Sequence, residues 1–305
     1  NPPPRRSLRP PRRPPPRAPH DLVEQQWVQA GTASINQVFD ATSYSAKVEA
    51  VRTLLQLTTT CLSVRGGRGK HRRILRRLQA AASPDQPQPA QHTADAAANP
   101  APAPRGQTDY NLAARIHSQI QSGNISRAAN CLDSLPLAEI TPQVIQEMHD
   151  LHPHGAPPPH IPVEAAPISL TEDELESVLG HLGTGKAPGL TGWTYEHIKQ
   201  LCSRRAGKLA ALSLINALLA GQLPAVPELL DCDGLPLTKP AGGIRPIAIG
   251  EAWIRVTSLC AVHKFSDLGP SLAPLQLGVG IPVGAEGVGH AVRSALGSDQ
   301  DNLLL

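Results

Sequence analysis

The stretch Leu235-Pro-Leu-Thr-Lys239-Pro-Ala-Gly-Gly-Ile-Arg245-Pro-Ile-Ala-Ile-Gly250 decides how the chain is read. Two short apolar runs, 235–239 and 244–249, flank Pro240-Ala-Gly-Gly243, the signature of a β-hairpin closed by a glycine-rich turn. Its two charges, Lys239 and Arg245, stand on opposite arms close to that turn. From there they can converge on a polyanion, lysine as a compact point charge and arginine as a bidentate fork. Pro240 and Pro246 stiffen the arms and withhold ladder donors, which predicts an exposed edge rather than a sheet interior. An ordinary solvated hairpin would not explain why its only two charges face a common turn.

Working outward, Thr171 and Glu174 spell a capping box, and Leu170 with Leu175 a hydrophobic staple. Leu175, Val178, Leu179 and Leu182 then share one helix face. An irregular loop at 183–192 leads to helices over 193–201 and 207–220. Beyond the hairpin, 251–264 and 286–296 read as helical. Upstream, short helices are expected over 111–121, 125–132 and 142–151, the last with Pro142 in its first turn. The region 21–82 is helical too, with Val48, Val51, Leu54 and Leu55 at helix spacing. The expected class is α+β, mostly helical, with one β-hairpin.

Composition divides the chain. Of 305 residues only 8 are aromatic, 32 are Pro and 25 Gly, and 40% are apolar. A globular chain carries roughly 45–50% apolar residues, so a single tight domain is not expected. Before residue 168 lie 23 of the prolines, and from Gly180 onward lie 18 of the glycines. We therefore expect a disordered Pro/Arg leader (1–20), a basic helical region (21–82), a linker (83–107) and a small helical region (108–155). A Pro-rich linker (156–168) and a more globular unit (169–305) complete the chain.

The net charge of +3 conceals an asymmetry: residues 1–79 carry +11 and residues 80–305 carry −8. A basic block at one end favours nucleic acid or another anionic surface. Its densest part is Arg65-Gly-Gly-Arg68-Gly-Lys70-His-Arg72-Arg73-Ile-Leu-Arg76-Arg77, with eight basic side chains, His71 included, in thirteen residues. These can neutralise phosphates while the glycines let the backbone follow a strand. No aromatic is interleaved for base stacking, so such binding would be weakly sequence-specific. The competing reading is a solvated cationic face or an address signal, in keeping with a nuclear destination. The apolar stretch 209–220 is broken by Ser213 and Asn216 and is too short to span a bilayer, and no signal peptide is seen. Five cysteines with no close pairs argue against a disulfide framework and a CxxC zinc site, and suit a reducing, intracellular compartment.

Three other motifs carry little. Gly180-His-Leu-Gly-Thr-Gly-Lys186 has P-loop spacing, but Ala187 replaces the magnesium-binding hydroxyl, and the motif follows a helix and runs into a proline. His149, His152, His154 and His160 lie among prolines with no metal-ligand spacing. Gly278, Gly280 and Gly284 have the wrong spacing for a dinucleotide turn, and Pro282 breaks the helix start it needs.

Three segments together resemble the reverse transcriptases of non-LTR (LINE-type) retrotransposons. Gly185-Lys-Ala-Pro-Gly189-Leu-Thr-Gly192-Trp-Thr-Tyr-Glu-His-Ile resembles the family's opening K-x-P-G-x-x-G motif. The hairpin stretch 235–250 resembles its next motif, and Leu275-Gln276-Leu-Gly278-Val-Gly-Ile-Pro-Val-Gly-Ala-Glu286 its Q-x-G segment, in the same order and at similar spacing. The resemblance covers 169–305 and extends faintly to 108–155. It implies RNA-templated DNA synthesis on a right-hand polymerase, with this chain supplying the fingers. RNA template, DNA primer and deoxynucleoside triphosphate would be its partners, with no membrane. By resemblance, Lys239 and Arg245 grip the incoming triphosphate. Lys186, Gly189 and Trp193 lie against template and fingers core, and Gln276 and Gly278 approach the palm.

The sequence departs from the family in two ways. Thr191 stands where related enzymes often have Asp. The two magnesium ions the full-length family uses need palm aspartates, and no Asp-Asp pair occurs in the sequence. The chain closes at Asp299-Gln-Asp301-Asn-Leu-Leu-Leu305, where the first palm strand would begin. The expectation is an N-terminal fragment without catalytic residues or metal ligands, inactive as a polymerase by itself. The alternative is a non-catalytic nucleic-acid-binding protein built on the run 65–77.

Overall fold

A computed structural model describes residues 21–64, 69–83, 108–121, 125–133, 137–152, 168–266, 268–272, 275–278 and 283–298, with Gly123, Gly155 and Ile281. The leader 1–20, the segments 84–107 and 156–167, and the candidates Arg65, Arg68, His154, His160, Asp299 and Asp301 lie outside the described residues.

The basic helical region forms three helices, α1 (Asp21–Asp40), α2 (Tyr44–Leu62) and α3 (Lys70–Ala82). Ser43 starts α2 by accepting the Ala46 N–H on its side chain, a standard N-cap. Ile74 and Leu78, four residues apart, are the buried stripe of α3, which packs on α1 and α2. Next come α4 (Thr108–Gln121) and α5 (Ile125–Asp133), packed on each other, then α6 (Pro142–Asp150). Thr141 caps α6, and Pro142 occupies its first turn, as the sequence suggests. The capping box at Thr171 and Glu174 opens α7 (Glu172–His181), whose Leu175, Val178 and Leu179 are buried.

After the loop at 182–194, α8 (Tyr195–Leu201) and α9 (Arg205–Leu219) follow, then the short α10 (Pro227–Leu230). Strands β1 (Cys232–Thr238) and β2 (Ile244–Gly250) pair antiparallel as one hairpin. Helix α11 (Ala252–Lys264) follows β2 directly, and α12 (Leu268–Ser271) and α13 (Gly284–Ser298) complete the described chain. Among the described residues the protein is mostly helical with one two-stranded antiparallel sheet.

Among the described residues one hydrophobic core draws on α1, α2, α3 and α7 through α11. The helical region at 21–82 and the segment after 169 therefore do not form separate bodies. The chain has three tryptophans, and all three meet at the centre of that core. The Trp193 ring centroid lies 5.2 Å from that of Trp27 and 5.1 Å from that of Trp253, in tilted and edge geometries that aromatic pairs favour. Trp27 donates its indole N–H to the His197 carbonyl at 3.1 Å. Periodicity shows which face of a helix is buried but not what covers it, so the division by composition missed this joint.

Candidate functional site at the hairpin

Residue pairing runs from Cys232↔Gly250 to Thr238↔Ile244, leaving Lys239–Gly243 as the turn. That turn is closed by Lys239 N–H on the Gly243 carbonyl (3.0 Å) and Gly242 N–H on the Lys239 carbonyl (3.1 Å). Gly242 and Gly243 have φ of 88° and 77°, a left-handed path that glycine follows without strain. Arg245 lies opposite Leu237, and Lys239 is two residues past Leu237. Arg245 is thus set in the ladder and Lys239 in the turn, both at the tip end of the hairpin. Arg245 is exposed and Lys239 half-buried, and neither side chain makes an ion pair among the described residues.

The edges of this hairpin differ from the sequence expectation. Pro236 and Pro246 face each other across the ladder. Neither has an N–H, so theirs is a non-hydrogen-bonded pair, and the prolines withhold outward donors rather than ladder donors. The β1 edge is not bare: Leu137 bridges Leu237, and Ala138 donates its N–H to the Pro236 carbonyl at 2.9 Å. On the β2 side, Ile244 donates its N–H to Glu147 Oε1 of α6 at 3.0 Å.

The loop bearing Lys186 and Gly189 is pinned to the root of the hairpin. Thr191 donates from its N–H (3.3 Å) and its hydroxyl (2.7 Å) to Glu251 Oε2. The other oxygen of Glu251 accepts the Ala252 N–H at 2.8 Å, so one carboxylate caps α11 and holds the loop. Thr58 of α2 donates its hydroxyl to the Thr191 carbonyl at 2.8 Å. Arg255 donates to the Ala187 carbonyl at 2.7 Å, and its guanidinium carbon lies 5.0 Å from the centre of the Tyr195 ring. The Glu196 carboxylate accepts the Gly185 N–H.

These contacts separate the residues expected against template and fingers core. Lys186 is exposed and makes no ion pair among the described residues. Gly189 is buried, and Trp193 is fully buried with its indole N–H on the Leu54 and Leu55 carbonyls, 3.2 Å from each. Both are packing positions, whereas Lys186 faces solvent. Gln276 and Gly278 form a turn of their own, in which Gln276 Oε1 accepts the Gly278 N–H at 2.6 Å; neither belongs to the core.

Of the basic run, Lys70, Arg72, Arg73 and Arg76 are exposed on α3. Arg77 is engaged elsewhere: its guanidinium donates to the Thr60 (2.8 Å) and Ser63 (3.4 Å) carbonyls and so caps the end of α2. His152 Nδ1 lies 2.9 Å from the Met148 carbonyl, as expected for a local helix-end contact. Among the described residues no three His, Cys, Asp or Glu side chains gather. Burial pushes the Cys61 and Cys202 thiols up to about 12 and Cys260 up to about 11, which leaves them protonated and poorly nucleophilic at neutral pH. Among the described residues no helix is long and apolar enough to cross a membrane.

Glu251 was not singled out by sequence, although its place just before an apolar helical pattern is a cap position. Burial raises its pKa from the ordinary 4.5, against the bonds from Thr191 and Ala252 and the nearby Arg255. An acid whose pKa is higher folded than unfolded favours the fold most at low pH. That contribution is lost as pH rises from the ordinary carboxyl range through the raised value. In Glu251→Gln this falling limb should disappear from the pH–stability profile. The variant should also be less stable at low pH, because one amide edge must face a donor. Urea titrations between pH 4 and 8 read both effects, and identical slopes in wild type and variant would refute the assignment.

Comparison with known protein families, curated proteins and solved structures finds no match to this chain.

Proposed function

We propose that the chain is the fingers part of an RNA-directed DNA polymerase of the non-LTR type, binding the triphosphate of an incoming deoxynucleotide through Lys239 and Arg245. The observation that carries this reading is two cations at the turn end of one hairpin, without an ion pair among the described residues. The order and spacing of the three motifs support it. So does the anchoring of the Lys186 loop on the hairpin root through Thr191 and Glu251. In this reading an RNA template and a DNA primer are the macromolecular partners, and Lys186 is the exposed cation of the first motif. The magnesium chemistry needs palm aspartates, so no polymerisation step is assigned to these residues.

A second reading is a nucleic-acid-binding protein centred on α3, favoured by the four exposed cations Lys70, Arg72, Arg73 and Arg76. One set of titrations separates the two. Each charge-assisted contact contributes about 1.5–3 kcal/mol, so Lys239→Ala with Arg245→Ala should weaken deoxynucleoside triphosphate binding by at least about a hundredfold. RNA binding should survive. If triphosphate binding is unchanged, while replacing the four α3 cations abolishes RNA binding, the second reading holds. Arg77 is left intact in that variant, because its loss would uncap α2.

A further inference from the structure

The hairpin tip depends on a side chain outside all three motifs. We propose that Glu147 of α6 is a positioning residue that sets the tip so that Lys239 and Arg245 present together to a triphosphate. This inference rests on the reading of the hairpin as a triphosphate site.

A two-stranded hairpin is marginal on its own in water, and this one has no third full strand among the described residues. Its shape at the tip must come from outside the ladder. Ile244 lies between Gly243, the last turn residue, and Arg245. The ladder uses the neighbouring positions: Lys239 N–H bonds the Gly243 carbonyl, and Arg245 pairs with Leu237. The Ile244 N–H therefore points away from β1, where it meets Glu147 Oε1 at 3.0 Å. A carboxylate acceptor makes this a charge-assisted bond, stronger than one to a neutral group.

Contact at this point is also tight. A Cβ at Gly243 would lie 3.2 Å from the same Glu147 oxygen, so the carboxylate sits against the turn itself. The segment that carries Glu147 grips the opposite edge as well, through the Leu137 bridge to Leu237 and the Ala138 N–H on Pro236. One continuous stretch, 137–150, thus holds β1 at its outer edge and β2 at its tip. Without the Glu147 bond, the glycine turn opens more readily, and Arg245 is held less firmly relative to Lys239. Two separately mobile cations lose more conformational freedom on binding one polyphosphate than a pre-set pair does.

The test uses the full chain with dGTP, dGMP and inorganic tripolyphosphate as probes, comparing wild type, Glu147→Ala, Glu147→Gln and the Lys239→Ala/Arg245→Ala pair. Glu147→Ala should weaken dGTP and tripolyphosphate binding about tenfold, the size of one net charge-assisted hydrogen bond. The monophosphate, which cannot engage both cations, should be little affected. Glu147→Gln keeps an oxygen acceptor for Ile244 and should recover most of the loss. Hydrogen exchange at the Lys239 amide, which reports turn closure, should speed up in Glu147→Ala even without ligand. If Glu147→Ala binds dGTP like wild type while the paired cation variant does not, the inference fails and the site stands. Equal losses for triphosphate and monophosphate, or no rescue by Gln, mark a general structural defect and also overturn it. Wild type that binds no triphosphate defeats both the site and the inference.

Discussion

Trp193→Ala is expected to lower the stability of the whole protein by about 4 kcal/mol, a large part of the ~5–15 kcal/mol that a domain commonly has. Trp193 is fully buried, with Trp27 and Trp253 packed on it at centroid distances of 5.2 and 5.1 Å. Removing it leaves a cavity where α1, α2 and α11 meet, and no neighbour is flexible enough to fill an indole-sized space. The lost indole N–H bonds count for less, since the Leu54 and Leu55 carbonyls lie within α2, where helix bonds also reach them. Trp193→Phe separates the two contributions: it keeps most of the packing and should cost only about 1 kcal/mol. Denaturant unfolding followed by far-ultraviolet circular dichroism reads the result, because helix content reports the fold in wild type and in both variants. A loss under about 1 kcal/mol for Trp193→Ala would mean that the cluster does not join the two segments. The same geometry predicts that a piece beginning near residue 169, without α1 and α2, stays partly unfolded, since Trp193 would lose Trp27 and the Leu54 and Leu55 carbonyls.

Local sequence signals were legible wherever the determining contacts are local. The Thr171–Glu174 capping box, Pro142 at the start of α6, the hairpin with its glycine turn, and the Val51, Leu54 and Leu55 face of α2 depend on neighbours within a few positions. The cation pair was legible for the same reason, since hairpin register follows from turn length. What stayed hidden are the contacts that join distant segments: Thr58 with Thr191, Trp193 with α2, and Glu147 with Ile244. Composition was misleading in one respect. The charge contrast between 1–79 and the rest divides the surface, but the core crosses it: Trp27, Leu54 and Leu78 come from the basic end and Trp193 from the other. Arg77 shows the limit at single-residue scale. In the sequence it is one of eight basic side chains, and only the fold turns it into the cap of α2.

Gly189→Ala should cost about 3 kcal/mol, in the upper range for overpacking a rigid site. The Cβ it adds would lie 2.6 Å from Glu251 Cα and 2.8 Å from the Gly250 carbonyl oxygen, both backbone atoms that cannot rotate away. Gly189 has no positive φ, so the penalty is purely one of approach. Relief requires the loop to lift from the hairpin root. That lengthens the bonds from Thr191 to Glu251 and loosens the cap on α11 in the same movement. The pH-dependent limb assigned to Glu251 should then shrink as water reaches the carboxylate. This outcome separates two roles for the K-x-P-G-x-x-G motif. If Gly189 matters because it lets loop and hairpin backbones touch, the variant is unstable with no ligand present, and its RNA affinity falls only as far as the folded fraction does. If its role were to let a template strand approach, stability without RNA would be unchanged and affinity alone would drop. Thermal melts without RNA, paired with RNA titrations at a temperature where the variant is still folded, distinguish the two. The 2.6 Å approach to Glu251 predicts the first.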